Sequence, residues 1–264
     1  MSSPVLSIVI VEYKSIDEAN ACVEALCRKI SIPFEVIVSS NSMYTEAQQG
    51  SITNARQNVR WLFNARNGGF AYAMNRGLEV ARGNYLVIMN SDCTLLDDLQ
   101  PLVSFLEQHD EVGAIAPQLR AADGEIQDTA RPYVTPYSFL KRLFNRFRKK
   151  TVCVMEEGMD YSKVQTVDWV IGAFIMATRK AYEATNGLDE EFFMYAEDVD
   201  WCTRIRQQGF EIVYYPKVAV EYKGTRRARS SWKYKKIFLK SHLHYWNKFG
   251  FIGGSYPKRK NIAL

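Results

Sequence analysis

Three acids, Glu197, Asp198 and Asp200, stand beside Phe192, Phe193, Met194 and Tyr195. An unpaired carboxylate among apolar side chains is strongly disfavoured, so such a cluster meets a cation, a donor network or a reacting group. Gly187 before the stretch and Gly209 after it predict a helix over 197–208 that stops at Gly209. The acids then fall in its first turn, where the macrodipole favours negative charge. Trp201, Cys202 and Ile205 form the apolar stripe of that helix. Asp198, one turn and two turns earlier, lies in the middle of the same stripe. Glu197 falls to one side and Asp200 further round, so Asp198 is the acid expected to aim into the protein. The plainer reading is a first-turn acid that only caps a helix.

Other polar residues end apolar runs. The run Val5 to Val11 (VLSIVIV) reads as a strand buried on both faces and leads to Glu12. Phe34 to Ser39 leads to Ser40 and Asn41, and Asn84 to Met89 leads to Asn90-Ser91-Asp92. In open α/β sheets ligands sit beyond the C-terminal ends of the strands, which brings these residues to one edge. Asp92 is there a candidate Mg²⁺ ligand, since that ion takes one or two carboxylates plus substrate phosphates. Asn67-Gly68-Gly69 before a helix offers free N–H groups to an anion. A turn or cap is the plainer reading of each.

The elements that must position these residues alternate. Helices are expected over 17–29, 70–82, 97–109 and 179–185, and further strands over 59–63, 113–116, 167–177 and 211–215. That order predicts an α/β fold with helices on both faces of a mostly parallel sheet. Gly172 interrupts the run VDWVIGAFIMA where a side chain would obstruct something. Residues 225–264 read as a basic, aromatic extension, helical from about 231.

A chain of 264 residues buries a substantial core. It has no run of about 18 apolar residues, so no transmembrane helix is expected. The start, without a basic n-region, reads as the lead-in to a strand rather than a signal peptide. Cysteines 22, 27, 93, 153 and 202 follow no metal or disulfide spacing and read as reduced, cytosolic thiols.

Taken in order, six anchors resemble the family-2 glycosyltransferases of GT-A fold, and within them the bacterial rhamnosyltransferase-like branch of surface-polysaccharide synthesis. They are Ser7-Ile-Val-Ile-Val with Tyr13; Val36-Ile-Val with Asn41-Ser42; Asn67-Gly-Gly-Phe-Ala71 with Asn75; Tyr85-Leu-Val-Ile-Met-Asn-Ser-Asp92; Gly172-Ala-Phe-Ile-Met176; and Gly187 through Cys202. The resemblance covers roughly residues 5–224, which it makes the catalytic domain. It implies an inverting, metal-dependent transfer of rhamnose from dTDP-rhamnose to a polyprenyl-diphosphate-linked or saccharide acceptor, in O-antigen or capsule synthesis. Asp198 would be the general base, with Glu197 and Asp200 orienting it or a neighbouring cation. Asp92 and Asn90 would hold Mg²⁺ or Mn²⁺. Glu12, Ser40, Asn41, Asn67, Gly68, Gly69, Asn75 and Asn90 would border the donor nucleotide. Trp169, Gly172, Ala173, Phe174 and Met194 would line the sugar or acceptor pocket.

Three departures from the family pattern stand in the sequence. Ser40 stands where an Asp is common, Glu12 and Lys14 replace a small polar residue and Asn, and the usual His near 216–224 is absent. Glu221 is the candidate oxygen ligand in its place. Two rivals remain at this stage: a nucleotidyltransferase, and a non-catalytic assembly protein on a transferase fold.

The segment 138–150 (SFLKRLFNRFRKK) puts Phe139, Leu140, Leu143, Phe144 and Phe147 on one helical face and six Lys or Arg, with no acid, on the rest. It reads either as a solvated helix packed on the domain or as an anchor on the anionic inner face of the cell membrane. Lys233, Lys235, Lys236 and Lys240 add to that surface. Acids at the site argue against nucleic acid.

Overall fold

A computed structural model describes residues 4–52, 57–137, 159–224, 232–250, 256–260 and 262. The segment 138–150 and Cys153 lie outside them. The elements run β1 (Leu6–Glu12), α1 (Ile16–Lys29), β2 (Phe34–Ser40), α2 (Glu46–Ile52), β3 (Val59–Phe63), α3 (Phe70–Leu78), β4 (Tyr85–Asn90), β5 (Cys93–Leu95), α4 (Gln100–Gln108), β6 (Val112–Arg120), β7 (Ala130–Arg131), β8 (Gln165–Val167), β9 (Trp169–Val170), β10 (Phe174–Thr178), α5 (Arg179–Thr185), α6 (Glu197–Gln207), β11 (Glu211–Tyr222) and α7 (Trp232–Phe249).

Among the described residues a nine-stranded sheet has the order β3-β2-β1-β4-β10-β6-β11-β5, with β8 also on β11. Strands β3, β2, β1 and β4 are parallel, and β10 enters antiparallel between β4 and β6. β1 is apolar throughout its middle because both faces are covered. Ile8 and Ile10 join one core cluster, Val9 the other. The first cluster takes the buried face of α1 through Cys22, Val23 and Leu26, and the second takes α3 and α6 through Met74, Leu78, Trp201 and Ile205. α7 docks on the second cluster through Tyr245, Trp246 and Phe249.

The structure departs from the sequence reading where a side chain redirects the backbone. The run expected as one strand over 167–177 is three short strands that share no partner. The chain bends at Asp168, whose carboxylate accepts from the Tyr133 N–H at 3.2 Å and from Arg259 at 2.7 Å. α3 ends at Leu78 rather than near 82. There the Arg82 and Gly83 N–H groups leave the helix for Glu35 at 2.7 Å and Ser7 at 2.8 Å. β11 is longer than expected. Its pairing with β6 slips between Tyr215 and Ala219, around Pro216, and then resumes, a bulge that accommodates the missing donor. α2 and β5 were not expected at all.

Candidate active site

The stretch 187–196 approaches α6 through two consecutive left-handed residues, Tyr195 (φ 70°) and Ala196 (φ 67°). That reversal delivers Glu197, Asp198 and Asp200 to the first turn of α6. Their surroundings correct the helical-wheel expectation. Asp200, not Asp198, is the fully buried acid, with 0% exposure. It is held by Arg204 at 2.7 Å and Lys248 at 2.7 Å. The wheel missed this because loop 187–196 and α7 cover the side of α6 away from the sheet. Asp200 is therefore spent on packing α7 rather than on orienting Asp198.

Asp198 is half-buried, and each oxygen accepts a backbone donor. Oδ2 takes the Gly172 N–H at 2.9 Å and Oδ1 the Val199 N–H at 2.8 Å. The expectation for Gly172 holds in space: a Cβ there would sit 3.3 Å from the Asp198 Cβ. Burial raises the Asp198 pKa above its ordinary value, opposed by those N–H groups and by the charge of Arg131. Glu197 is buried, and its Oε2 has no hydrogen-bond partner. Burial and then the Asp198 charge push it well above the carboxylate range. Two adjacent carboxyl groups do not both ionise readily. Asp198 has the donors, so it carries the charge while Glu197 keeps the proton.

The strand-end residues do come together, but largely on one another. The Glu12 carboxylate, 0% exposed, accepts from the Ser15 N–H and from the hydroxyls of Ser40, Ser42 and Tyr44 at 2.5–3.1 Å. Asn41 donates to the Gly69 carbonyl at 2.9 Å and accepts from Asn64 at 3.0 Å. A buried carboxylate satisfied by four donors is a brace between β1 and β2, so the Glu12 and Ser40 side chains, expected to border the nucleotide, are engaged with each other. The α3 N-terminus is likewise occupied. The Gly69 N–H donates to Asn67 Oδ1 at 3.1 Å and the Phe70 N–H to the Phe193 carbonyl at 2.7 Å, so Asn67-Gly68-Gly69 is no open anion cradle. A Cβ on Gly68 would lie 2.4 Å from the Tyr72 ring, and one on Gly69 2.2 Å from the Phe193 oxygen. The glycines allow close packing. Asn75 bonds the Leu188 backbone in both directions, at 2.8 and 2.9 Å, and reaches Glu190 at 3.0 Å. It is a clamp on the loop, not a donor contact.

Asp92 lies beyond β4, 8% exposed, and its carbonyl accepts from the Lys223 N–H at 3.2 Å. The side chain of Asn90 meets the Tyr222 hydroxyl, whose pKa is raised by burial and then by the charge of Asp92. Successive strand residues point to opposite faces. Because Tyr222 turns toward Asn90 and Asp92, Glu221 turns away, which removes Glu221 as the replacement ligand. Among the described residues no group of three His, Cys, Asp or Glu could cage a metal ion. One recessed carboxylate with a neighbouring amide suits an ion held mainly by substrate phosphates, as Mg²⁺ is, so the residues fit a cation that arrives with a diphosphate.

The expected acceptor pocket divides in the same way. Phe174 (0% exposed), Trp169 and Ala173 (3% each) are core and wall rather than open lining. The Trp169 indole donates to the Pro132 carbonyl at 2.8 Å, and the Ala173 carbonyl takes the Asn90 N–H at 3.0 Å. Met194 is half-buried, and its carbonyl accepts from Ser241 at 2.8 Å. Sequence reading missed Arg131. It pairs with Trp169 across β7 and β9, stacks over that ring at 5.3 Å and bonds Asp128 at 2.7 Å. Its charge is felt by both Asp198 and Tyr222. It lies in a stretch without periodicity, where a lone arginine carries no signal.

A mostly parallel sheet whose β4 ends at a recessed carboxylate, with a half-buried carboxylate on the first turn of α6, is the architecture of a GT-A-type fold. Residues 7–161 match the model of glycosyl transferase family 2, and residues 155–228 that of the N-terminal domain of galactosyltransferase. The chain belongs to glycosyl transferase family 2 and is a glycosyltransferase. It is 25% identical over 82% of its length to an N-acetylglucosaminyl-diphospho-decaprenol L-rhamnosyltransferase of Mycobacterium tuberculosis, covering 75% of that protein. It is 27% identical to a low-salt glycan biosynthesis hexosyltransferase of Haloferax volcanii over 78% of this chain and 63% of that one. In fold it is similar to GalNAc-T7 solved with UDP, GalNAc and Mn²⁺, with TM-score 0.66 and 15% identity over 93% of this chain and 48% of that one. It is similar also to a Pyrobaculum calidifontis mannosyltransferase with GDP-Man and Mn²⁺, with TM-score 0.61 and 17% identity over 95% of this chain and 66% of that one. The chain thus spans about half the length of the first structure.

Proposed function

We propose that the protein transfers a sugar, rhamnose from dTDP-rhamnose, with inversion onto a polyprenyl-diphosphate-linked saccharide at the inner membrane surface, in surface-polysaccharide assembly. The observation that carries the chemistry is the setting of Asp198: accessible, fixed by two N–H donors, and beside a neutral Glu197. The acceptor hydroxyl oxygen attacks the anomeric carbon, its proton passes to Asp198, and the bond to the diphosphate breaks with its electron pair leaving on the nucleoside diphosphate. Asp92, with Asn90, would hold a Mg²⁺ or Mn²⁺ ion, which neutralises charge on that leaving group when bound. Arg131 is a permanent cation whose charge reaches both Asp198 and Tyr222, suited to steadying charge as it moves toward the diphosphate. The donor and acceptor are supported by the Mycobacterium tuberculosis relative, whose name includes both a decaprenol-linked sugar and L-rhamnose.

The test is turnover of a nucleotide-sugar panel, with dTDP-rhamnose included, against a prenyl-diphosphate-linked saccharide. Asp198→Asn is expected to keep donor binding and lose transfer by about 10²–10⁴-fold. Release of pyrophosphate, or undiminished turnover by that variant, contradicts the reading.

A further inference from the structure

Helix α7 is seated by its C-terminal half, where His242, Tyr245, Trp246 and Phe249 are buried. Trp232 at its N-terminal end is 77% exposed, Leu239 48% and Leu243 46%. At about 100° per residue these three fall within about 40° of one another around the helix. Lys236 and Lys240 flank the line on one side and Lys235 on the other, with the Lys235 ammonium 4.8 Å from the Trp232 ring. The helix carries five lysines and no acid.

We infer that this outer stripe is a docking surface for an anionic lipid bilayer, with Trp232, Leu239 and Leu243 entering the interface and Lys235, Lys236 and Lys240 meeting the headgroups. A Trp–Leu line bordered by lysines is the composition of a helix lying in an interface plane. Three side chains are too small a patch for a stable protein contact, which buries some 1,200 Å² or more. A second copy of the helix would set lysines against lysines. Among the described helices none is long and apolar enough to cross a membrane, so this surface attaches the protein without spanning.

The helix is fastened to the loop that delivers the acid pair. Ser241 bonds the Met194 carbonyl at 2.8 Å, Phe238 meets Tyr195 edge-on with ring centroids 5.5 Å apart, and Lys248 holds Asp189 and Asp200 at 2.6 and 2.7 Å. Docking α7 therefore fixes the height of Asp198 above the lipid. That second half rests on the glycosyltransferase reading; the docking itself does not.

Co-sedimentation of the full chain with vesicles of phosphatidylcholine alone, or mixed equally with phosphatidylglycerol, tests it. Binding is expected to the mixed vesicles only and to weaken with salt. Each of Lys235→Gln, Lys236→Gln and Lys240→Gln is expected to cost about five-fold, and Leu239→Glu with Leu243→Glu at least about ten-fold. Thermal stability and donor binding should stay unchanged, because the substituted residues are exposed. A charge-neutralised 138–150 segment is the control. Three results would overturn the proposal: no binding by the parent chain, equal binding to neutral vesicles, or loss of binding only when 138–150 is neutralised. Binding of polyanionic RNA by a chain that ignores vesicles would also overturn it. Failure of transfer activity with vesicle binding intact would count against the proposed reaction and not against the surface.

Discussion

Replacing Gly172 by Ala tests the position of Asp198 without touching its chemistry. The backbone at Gly172 is not among the positive-φ glycines, so alanine meets no conformational penalty there. Its Cβ would stand 3.3 Å from the Asp198 Cβ, 3.6 Å from Oδ2 and 3.8 Å from Cγ. The first of these is tighter than ordinary contact, so Asp198 must yield by a few tenths of an ångström. The Gly172 N–H bond to Oδ2, now 2.9 Å, bends as it does so. A 1 Å misplacement of a reacting group can cost about 100-fold in rate, so this shift should cost about 3- to 10-fold in kcat. Stability should change by less than about 1 kcal/mol, since lost unfolded-state freedom offsets the crowding. Weakening the bond to the charged carboxylate also raises the Asp198 pKa, moving the acidic limb of the rate profile to higher pH. The assay is nucleoside diphosphate release across pH, with donor affinity measured beside it. Unchanged kcat and an unmoved acidic limb would refute the assignment of Asp198. A raised donor Kd with normal kcat would make Gly172 part of the donor pocket instead.

Three further outcomes follow from the same geometry. Glu197 is raised above its unfolded value, so the folded state holds a proton that the unfolded chain releases, and stability falls as pH rises above about 4.5. Glu197→Gln, which cannot ionise, should therefore raise Tm relative to the parent at neutral pH and lose that advantage at pH 4 or below; a pH-independent difference would contradict the neutral acid. Gly69→Ala combines a φ of 95° with a 2.2 Å approach to the Phe193 oxygen, and should cost about 3 kcal/mol or more by denaturant titration; a near-neutral effect would mean the loop moves aside. The buried Arg206–Glu211 pair is 2.7 Å apart with side chains 1% and 2% exposed. Arg206→Met should cost about 3–5 kcal/mol by leaving Glu211 uncompensated, while replacing both partners by apolar residues should recover most of it. Additive single effects would remove the coupling.

The sheet was legible because its strands bury both faces, and a run such as LSIVIV in β1 can do little else. The motifs at the strand ends were legible as positions but not as roles. Nothing in Glu12, Ser40 and Asn41 announces that they satisfy one another, because the spacing between β1 and β2 that joins them is set by a parallel crossover. Asp198 was singled out for a partly mistaken reason. A helical wheel assumes one buried side, and α6 has two, the sheet on one and α7 on the other, so the acid judged inward is the one left accessible. Arg131 and Tyr222 were invisible because each acts through one cross-chain neighbour, Trp169 for the first and Asn90 for the second.

The burial of Asp200 and the placement of Asp198 are one fact seen from two sides. Left-handed backbone at Tyr195 and Ala196 costs about 1–2 kcal/mol at each residue, so the loop 187–196 must be held from outside. Asn75 of α3 grips it at Leu188, the Gly69–Phe193 approach pins its middle, and Ser241 of α7 takes Met194. Lys248 then reaches both the loop at Asp189 and α6 at Asp200. An ion pair between Asp200 and α7 thus locks the turn that presents Asp198. With Asp198 as the proposed base, the Asp200–Lys248 pair makes its presentation depend on the seating of α7, and through α7 on the surface proposed for that helix.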